Sequence, residues 1–485
     1  MLNWNELADL FVHNPKEPLL FHTGFFLFIF SVFLTAYSLV VHNLKMRHLF
    51  IILFSLYFYY KASGYFVALL YTTVSLDYIF SLLITRTKNE TGRKLFLLLG
   101  ILFSASFLFY FKYRNFFLEN LSALTGQTLS LTALILPVGI SFYTFQSISY
   151  LVDVYKKKVS LPSYSDYLMY MTFFPHLVAG PIVRARDFLP QLRTPVSISK
   201  PMLNEALWLI TKGLVKKAII ADFVAQYSDI VFSAPAGFSG MEHILATLCY
   251  TLQIFCDFSG YTDMAIGVAL LLGYRLSLNF DSPYKSLNIT DFWRRWHISL
   301  SSWLRDYIYI PMGGNRRGAV LQLLFLLLTM LIGGFWHGAN WKFIFWGAGH
   351  GALLILHKLF SKVFPGAKGR IFRFFSWLLT FCCVALLWIP FRAQSVEDTW
   401  LIYGKIFSAF NPAVIIGLAQ ANPLLFILFF IGFVFTLLPF AVKALMRKKY
   451  DEMDFYLKVI LFVIIIQVIL QVRSSTVQPF IYFQF

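Results

Sequence analysis

Long apolar runs separated by short Lys/Arg clusters dominate both ends of the chain, and each run is close to the length a helix needs to cross a bilayer. Residues 21–41 form the first such run. The segment before it carries Glu6, Asp9 and Glu17 against Lys16 alone, so it lacks the basic start of a cleaved secretory signal. The pattern therefore predicts a retained first span with an extracytoplasmic N-terminus. Lys45 and Arg47 then fall inside, where positive charge accumulates. A hairpin over 48–60 and 65–84 returns to Arg86, Lys88, Arg93 and Lys94, and a second over 95–111 and 131–151 returns to Lys156, Lys157 and Lys158. Towards the C-terminus, Lys358, Lys362, Lys368 and Arg370 precede a span at 374–391. Arg447, Lys448 and Lys449 follow another at 424–442, and 459–472 is the last.

The middle of the chain, about residues 160–320, breaks this rhythm. Its apolar runs are short, are interrupted by Pro162, Pro175, Pro181, Pro283 and Pro311, and carry Asp257, Asp263, Arg275, Arg294, Arg295 and Arg305. Irregular polar backbone at membrane depth survives only where protein buries it or a cavity solvates it. Re-entrant or in-plane helices around a central cavity are expected here. No internal repeat marks a two-half transporter. The whole reads as an all-α, polytopic membrane protein with roughly 11–13 membrane-embedded helices. It forms one membrane domain: an extracytoplasmic segment at 1–20, N-terminal spans at 21–160, a core at 161–360 and C-terminal spans at 361–485.

Composition agrees. Of 485 residues 58% are hydrophobic and only 13% charged, far below the roughly one-quarter charged of soluble domains. The 55 Phe residues suit lipid-facing and interfacial positions. A net charge of +18 raises nucleic-acid binding, but the cations lie in loop-sized clusters rather than in a basic patch interleaved with aromatics, which excludes it. Cys249, Cys256, Cys382 and Cys383 lie in apolar segments and read as core residues.

Two stretches carry candidate chemistry. In the first, residues 291–306, a continuous helix would place Trp293, Trp296, Leu300, Trp303 and Tyr307 on one apolar face, with Arg294, His297, Ser301 and Arg305 on an adjacent polar face. Such a helix would lie in the interface plane, either facing a cavity or simply anchoring to lipid phosphate. The second, at 333–341, places His337 at a glycine-rich break between two apolar arms. An ionisable group there is a candidate functional residue, or a histidine hydrogen-bonded in a turn.

These stretches belong to an ordered set: LPVGISFYTFQ at 136–146, FPHLVAGPI at 174–182, DFSGYTDM at 257–264, RRWHISLSSW at 294–303, YIPMGGN at 309–315, GFWHGAN at 334–340 and PFIYFQF at 479–485. In order and content the set resembles the membrane-bound O-acyltransferase (MBOAT) family, and closely its bacterial alginate O-acetyltransferase branch. The resemblance runs from about residue 20 to the C-terminus. It implies that His337 is the catalytic histidine and His297 the second active-site position, with Asp257, Arg294, Arg295, Trp296, Trp336 and Asn340 in binding or supporting roles. It also implies a cytoplasmic acyl thioester, acetyl-CoA, as donor substrate with no bound cofactor. The expected partners are an outward-facing SGNH-type acetyltransferase, a polysaccharide acceptor and membrane lipid, and the expected location is the bacterial inner membrane.

Transfer of an acyl group from a thioester to an alcohol needs a base for the hydroxyl proton, and imidazole suits that task. His337 would be the base or a proton shuttle, and His297 would orient the acceptor or polarise the acyl carbonyl. The reverse order and a covalent acyl-histidine are further routes. Asp257 and Asp263, in what reads as an apolar hairpin around Gly260, need cationic partners, and Arg294 or Arg295 is the expected one. His176 reads as a packing or turn residue, and His350 and His357 as helix residues facing neighbours. Two histidines 40 residues apart without a third ligand predict no metal site. The function expected is acetyl transfer across the membrane for O-acetylation of a cell-surface or exopolysaccharide. The alternatives are D-alanyl transfer from a carrier protein to teichoic acid, and a non-catalytic polysaccharide or acyl transporter.

Overall fold

The computed structural model describes residues 9–15, 17–178, 180–363 and 369–472. The 479–485 motif therefore lies outside the described residues, as do Ala179 of the 174–182 motif, Lys368, and residues 1–8 and 16 of the 1–20 segment, Glu6 and Lys16 among them. Among the described residues every regular element is a helix. Seven are long and apolar enough to cross a membrane, or eight if the bent pair Val414–Ala421 and Pro423–Leu437 is one span. This is a polytopic helical membrane protein. The other helices that the apolar pattern suggests are shorter, such as Gly24–Val40, or carry buried charge, such as Leu44–Ser63 with Arg47 and Lys61 inside.

Six of those seven helices bury between 11% and 33% of their most apolar stretch in protein, whereas Gly240–Leu271 buries 94%. The six present apolar surface to lipid. The seventh is enclosed by protein, and that is why it tolerates Asp257 and Asp263.

The chain forms two compact units. The first, Met1–Ile210 with Met264–Ser277, contains the N-terminal helices. Its helix starts are marked by Thr23, Asn43 and Asn89, whose side chains accept the N–H groups of Phe26, Met46 and Thr91. Phe26, Phe30 and Phe33 repeat along the inner face of Gly24–Val40 and meet Phe54, Phe58 and Phe174. The expected span at 131–151 is corrected: the helix starts only at Ile140. Pro137 cannot sit in a helix interior, and Gly139 adopts φ 74°, so the apolar run before them is irregular chain. Deep in this unit Asp77 accepts hydrogen bonds from the hydroxyls of Ser104 (2.7 Å) and Ser147.

The second unit is Thr211–Asp263 with Leu278–Phe485. The segment around Asp257 and Asp263 is not a hairpin; both lie on the single 32-residue helix Gly240–Leu271. Gly260 sits between them where a Cβ would come within 2.8 Å of the Gly213 carbonyl oxygen, so the glycine sets a close helix approach. The expected arginine partners are likewise corrected. Asp263 is clamped by Lys212 (3.0 Å) and Lys216 (2.8 Å), and Asp257 pairs with Lys217 (2.6 Å), which also holds Asp222 (2.7 Å). The physical reason is local. Residues 215–221 form a π-helical segment, and its wider turn carries Lys216 and Lys217 to different carboxylates. Ala319–His337 and Trp341–Val363 form the expected hairpin around the 338–340 turn. Val414–Ala421 and Pro423–Leu437 bend by 100° at Asn422, where Pro423 withdraws a backbone donor.

Candidate active site

Two helices press together to place His337. On Ala319–His337, a Cβ added at Gly334 would lie 2.2 Å from the Phe343 carbonyl oxygen; on Trp341–Val363, one at Gly347 would lie 2.4 Å from that of Met330. Only hydrogen fits at these crossings, so the backbones touch and the hairpin is rigid. Asn340 closes the turn, its side-chain oxygen accepting the Lys342 N–H (3.0 Å). Its placement supports the hairpin. His337 is the last residue of its helix, and its buried ring meets Trp336, Trp346 and Phe391 edge-on at centroid distances of 5.0, 5.0 and 5.1 Å.

His297 is mounted differently. The 291–306 segment is not one helix. Ile289–Arg295 ends, Trp296 is extended, His297 turns left-handed at φ 41° and ψ 55°, and Ile298–Leu304 begins. A left-handed non-glycine residue costs about 1–2 kcal/mol, so other contacts must hold it. Asn279 does so: its backbone carbonyl accepts the Ile298 N–H (2.9 Å), and its side-chain oxygen accepts both the N–H (3.1 Å) and the hydroxyl (2.9 Å) of Ser299. The His297 Nδ1 accepts the Leu300 N–H at 3.2 Å, capping the second helix. An Nδ1 that accepts carries no proton, so the ring is neutral with its proton on Nε2. The break also turns the imidazole inward. His297 is wholly buried, against Phe258 at 4.7 Å and Trp336 at 6.2 Å, while Arg294 and Arg305 stay exposed.

Trp336 thus touches both imidazoles, and the structure brings His297 and His337 into one aromatic cluster. The remaining expected site residues divide. Trp336 lies between the two histidine rings. Trp296 stacks in the core against Phe292 and Trp388. Arg295 is tied to Asp291 (3.0 Å) and Asp281 (3.6 Å), away from the histidines. The Asp257 carboxylate is engaged by Lys217, although its chain neighbour Phe258 packs on His297. Arg294 lines a cavity of about 430 Å³ together with Trp293, Ser301, Arg305, Thr329 and Met330. It makes no ion pair among the described residues.

Sequence reasoning missed Asn279, Phe258, Trp346 and Phe391, which hold or wall the two histidines, and the lysines that neutralise the buried acids. No local signal separates Asn279 from other loop asparagines. A lysine one helical turn from another within an apolar helix, as at 212 and 216, was a readable hint of buried pairing.

His176 accepts a packing role in the geometry: its Nε2 lies 3.0 Å from the Tyr170 carbonyl oxygen and 3.1 Å from the Gln146 amide nitrogen. His357 meets Thr290 at 2.9 Å, but among the described residues His350 has ring neighbours and no hydrogen-bond partner.

Comparison with known proteins gives the same direction as this geometry. The description of the membrane-bound O-acyltransferase family matches residues 153–389, which span both histidines. A peptidoglycan O-acetyltransferase of Helicobacter pylori is 38% identical over 78% of this chain and 78% of its own length. A probable alginate O-acetylase of Pseudomonas putida is 35% identical over 96% of this chain and all of its own length. A teichoic acid D-alanyltransferase of Bacillus subtilis is 31% identical but covers 46% of this chain. With matches of that extent, and with a helical membrane architecture to match, the chain belongs to the membrane-bound O-acyltransferase family and is a multi-pass membrane acyltransferase.

Proposed function

We propose that the chain transfers acetyl from a cytoplasmic thioester, acetyl-CoA, through the inner membrane for O-acetylation of a cell-surface polysaccharide. The single observation that carries this reading is the pair of buried histidines sharing Trp336, one of them fixed as an Nε2–H donor. In the proposed step an acceptor hydroxyl attacks the thioester carbonyl. His337 takes the hydroxyl proton as the C–O bond forms, and the C–S bond then breaks. The thiolate leaves with that proton, returning His337 to its neutral form. His297 donates its Nε2 proton in a hydrogen bond to the carbonyl oxygen, where negative charge grows. Because both histidines are buried, that contact is worth more there than in water.

Acetyl is favoured over D-alanyl because the acetyltransferase relatives align along most of this chain, whereas the D-alanyl relatives align along less than half. The acceptor is assigned to polysaccharide on the same relatives, which are named for peptidoglycan and alginate. The outward hand-over is assigned to an SGNH-type acetyltransferase, and the N-terminus is placed outside by the alternation of basic loops.

The test uses the full chain in proteoliposomes, with isotope-labelled acetyl-CoA supplied on one side and peptidoglycan or alginate fragments plus candidate partner on the other. Label should appear on the acceptor with the unsubstituted chain and be lost with His337→Ala. Transfer that survives His337→Ala at full rate, with the variant intact in the membrane, would falsify the assignment. Label delivered only from a D-alanyl carrier protein would move the reading to D-alanyl transfer.

A further inference from the structure

One buried histidine has no task in that mechanism. His350 lies on the inward face of Trp341–Val363 with Trp346 and Leu354, and it is wholly buried. Neither of its ring nitrogens has a hydrogen-bond partner among the described residues. The same is true of the indole nitrogens of Trp293 and Trp346. These three rings touch one another: His350 meets Trp346 at 4.7 Å and Trp293 at 5.1 Å, and the two indoles meet at 5.7 Å. Four buried nitrogens without partners are thus gathered in one spot. Buried polar groups are nearly always satisfied, and an apolar ring would fill the same space at lower cost. Such a cluster calls for a ligand with polar atoms along its length.

The surroundings say where that ligand enters and what it is. Trp293 lines the 430 Å³ cavity, and so does Leu354, one helical turn beyond His350. Trp346, on the other side, packs edge-on against His337 at 5.0 Å. The rings therefore lead from the cavity wall to the proposed base. The cavity also carries Arg294, which has no ion pair among the described residues, and Arg305, whose ion pair is with its chain neighbour Asp306. Two guanidiniums fit a phosphate, and a groove with isolated nitrogen donors beyond it fits an amide-bearing chain.

We propose that His350 is a donor-binding residue: with Trp293 and Trp346 beside it, it hydrogen-bonds the amide groups of the thioester donor's arm and so leads the thioester to His337. This rests on the reading that the donor is a phosphate-bearing acyl thioester. Trp293, which both lines the cavity and covers His350, turns aside as the arm enters.

His350→Phe keeps the ring and removes the nitrogens, and His350→Gln restores a donor and an acceptor. Binding of coenzyme A to the detergent-purified full chain is read by calorimetry. Turnover is read with acetyl-CoA and with S-acetyl-mercaptoethanol, which lacks both amides and phosphates. Loss of one or two buried hydrogen bonds should weaken coenzyme A binding and raise the acetyl-CoA KM about tenfold, with a smaller change in kcat. Preference for acetyl-CoA over the short donor should fall by the same factor, and His350→Gln should recover most of it. The melting temperature of His350→Phe should hold or rise, because orphaned nitrogens are gone. Coenzyme A binding that is unchanged in His350→Phe overturns the proposal, as does an equal loss with both donors or a fall in melting temperature with no recovery in His350→Gln. Coenzyme A that fails to bind the unsubstituted chain also overturns it. If coenzyme A binds and depends on His350 but no acetyl is transferred, the function proposed above fails while this inference stands.

Discussion

His337 ends a 19-residue helix whose glycines press it against its neighbour, whereas His297 stands in a break between two seven-residue helices, held where Asn279 accepts hydrogen bonds from Ile298 and Ser299 and where its own Nδ1 accepts the Leu300 N–H. The first mount is made of backbone contact and apolar packing. The second is made of satisfied polar groups around a strained residue. The contrast suits the two proposed roles. A base that accepts and returns a proton needs a fixed position, and close packing supplies it. A hydrogen-bond donor needs a defined tautomer, and only a partner on the other ring nitrogen can define it.

The largest expected effect comes from removing the packed histidine. His337→Ala should lower acetyl transfer by about 10²–10⁴-fold, the range for loss of a general base, with the melting temperature in detergent nearly unchanged. A large drop in melting temperature would mean that the ring is chiefly a packing element.

Next comes the charge pair behind the His297 wall. Lys217→Met leaves Asp257 buried without its cation, which should destabilise the protein by about 3–5 kcal/mol. Because Phe258 follows Asp257 and packs on His297, activity should fall with it; thermal unfolding and transfer assays on the same sample would show whether the two losses track.

The packed mount itself is tested by Gly334→Val. The added carbons meet the Phe343 carbonyl, and overpacking of this kind costs about 1–3 kcal/mol. If unfolding curves for this variant coincide with those of the unsubstituted chain, the glycine crossing is not what fixes His337.

The hydrogen-bonded mount should give a smaller loss of stability than the charge pair or the glycine crossing. Asn279→Ala removes the acceptor of the two Ser299 hydrogen bonds and should cost about 1–2 kcal/mol. Its signature is selective: the imidazole resonances of His297 should shift or broaden in NMR of a histidine-labelled sample, while those of His337 hold. Equal perturbation of both rings would erase the distinction between the two mounts.

The sequence made the packed mount readable and hid the other. Two apolar arms around GGFWHGAN can fold only as a hairpin, and small residues at the crossing announce close helices. The 291–306 stretch instead fits a continuous amphipathic helix on periodicity, with Trp293, Trp296 and Trp303 in register. No residue in it is a helix breaker. The break comes from Asn279, a dozen residues upstream, which captures the N–H groups of Ile298 and Ser299 that a continuous helix would have used itself. Hydrogen-bond competition from a distant residue leaves no periodic trace.

The buried acids teach the same lesson in charge. Burial without a cation is so costly that Asp257 and Asp263 required partners on physical grounds alone, and the sequence offered many cations. Arg294 and Arg295, in the next motif along the chain, lie on a short helix whose charges turn to a cavity and to Asp281 and Asp291. The lysines that serve are set by the π-helical turn at 215–221 and the close approach at Gly260.

By itself, then, the sequence determined that the chain lives in a bilayer, that its middle is polar and broken, and that His337 ends a tight hairpin. Each of these follows from local composition and spacing, because the bilayer dictates length and apolarity residue by residue. Only the tertiary structure decided that His297 turns inward to share Trp336 with His337, which lysines hold the acids, and that His350 gathers unpartnered nitrogens beside a cavity. Those outcomes depend on which atoms meet across long stretches of chain, and burial and hydrogen-bond satisfaction are properties of the assembled neighbours rather than of any one segment.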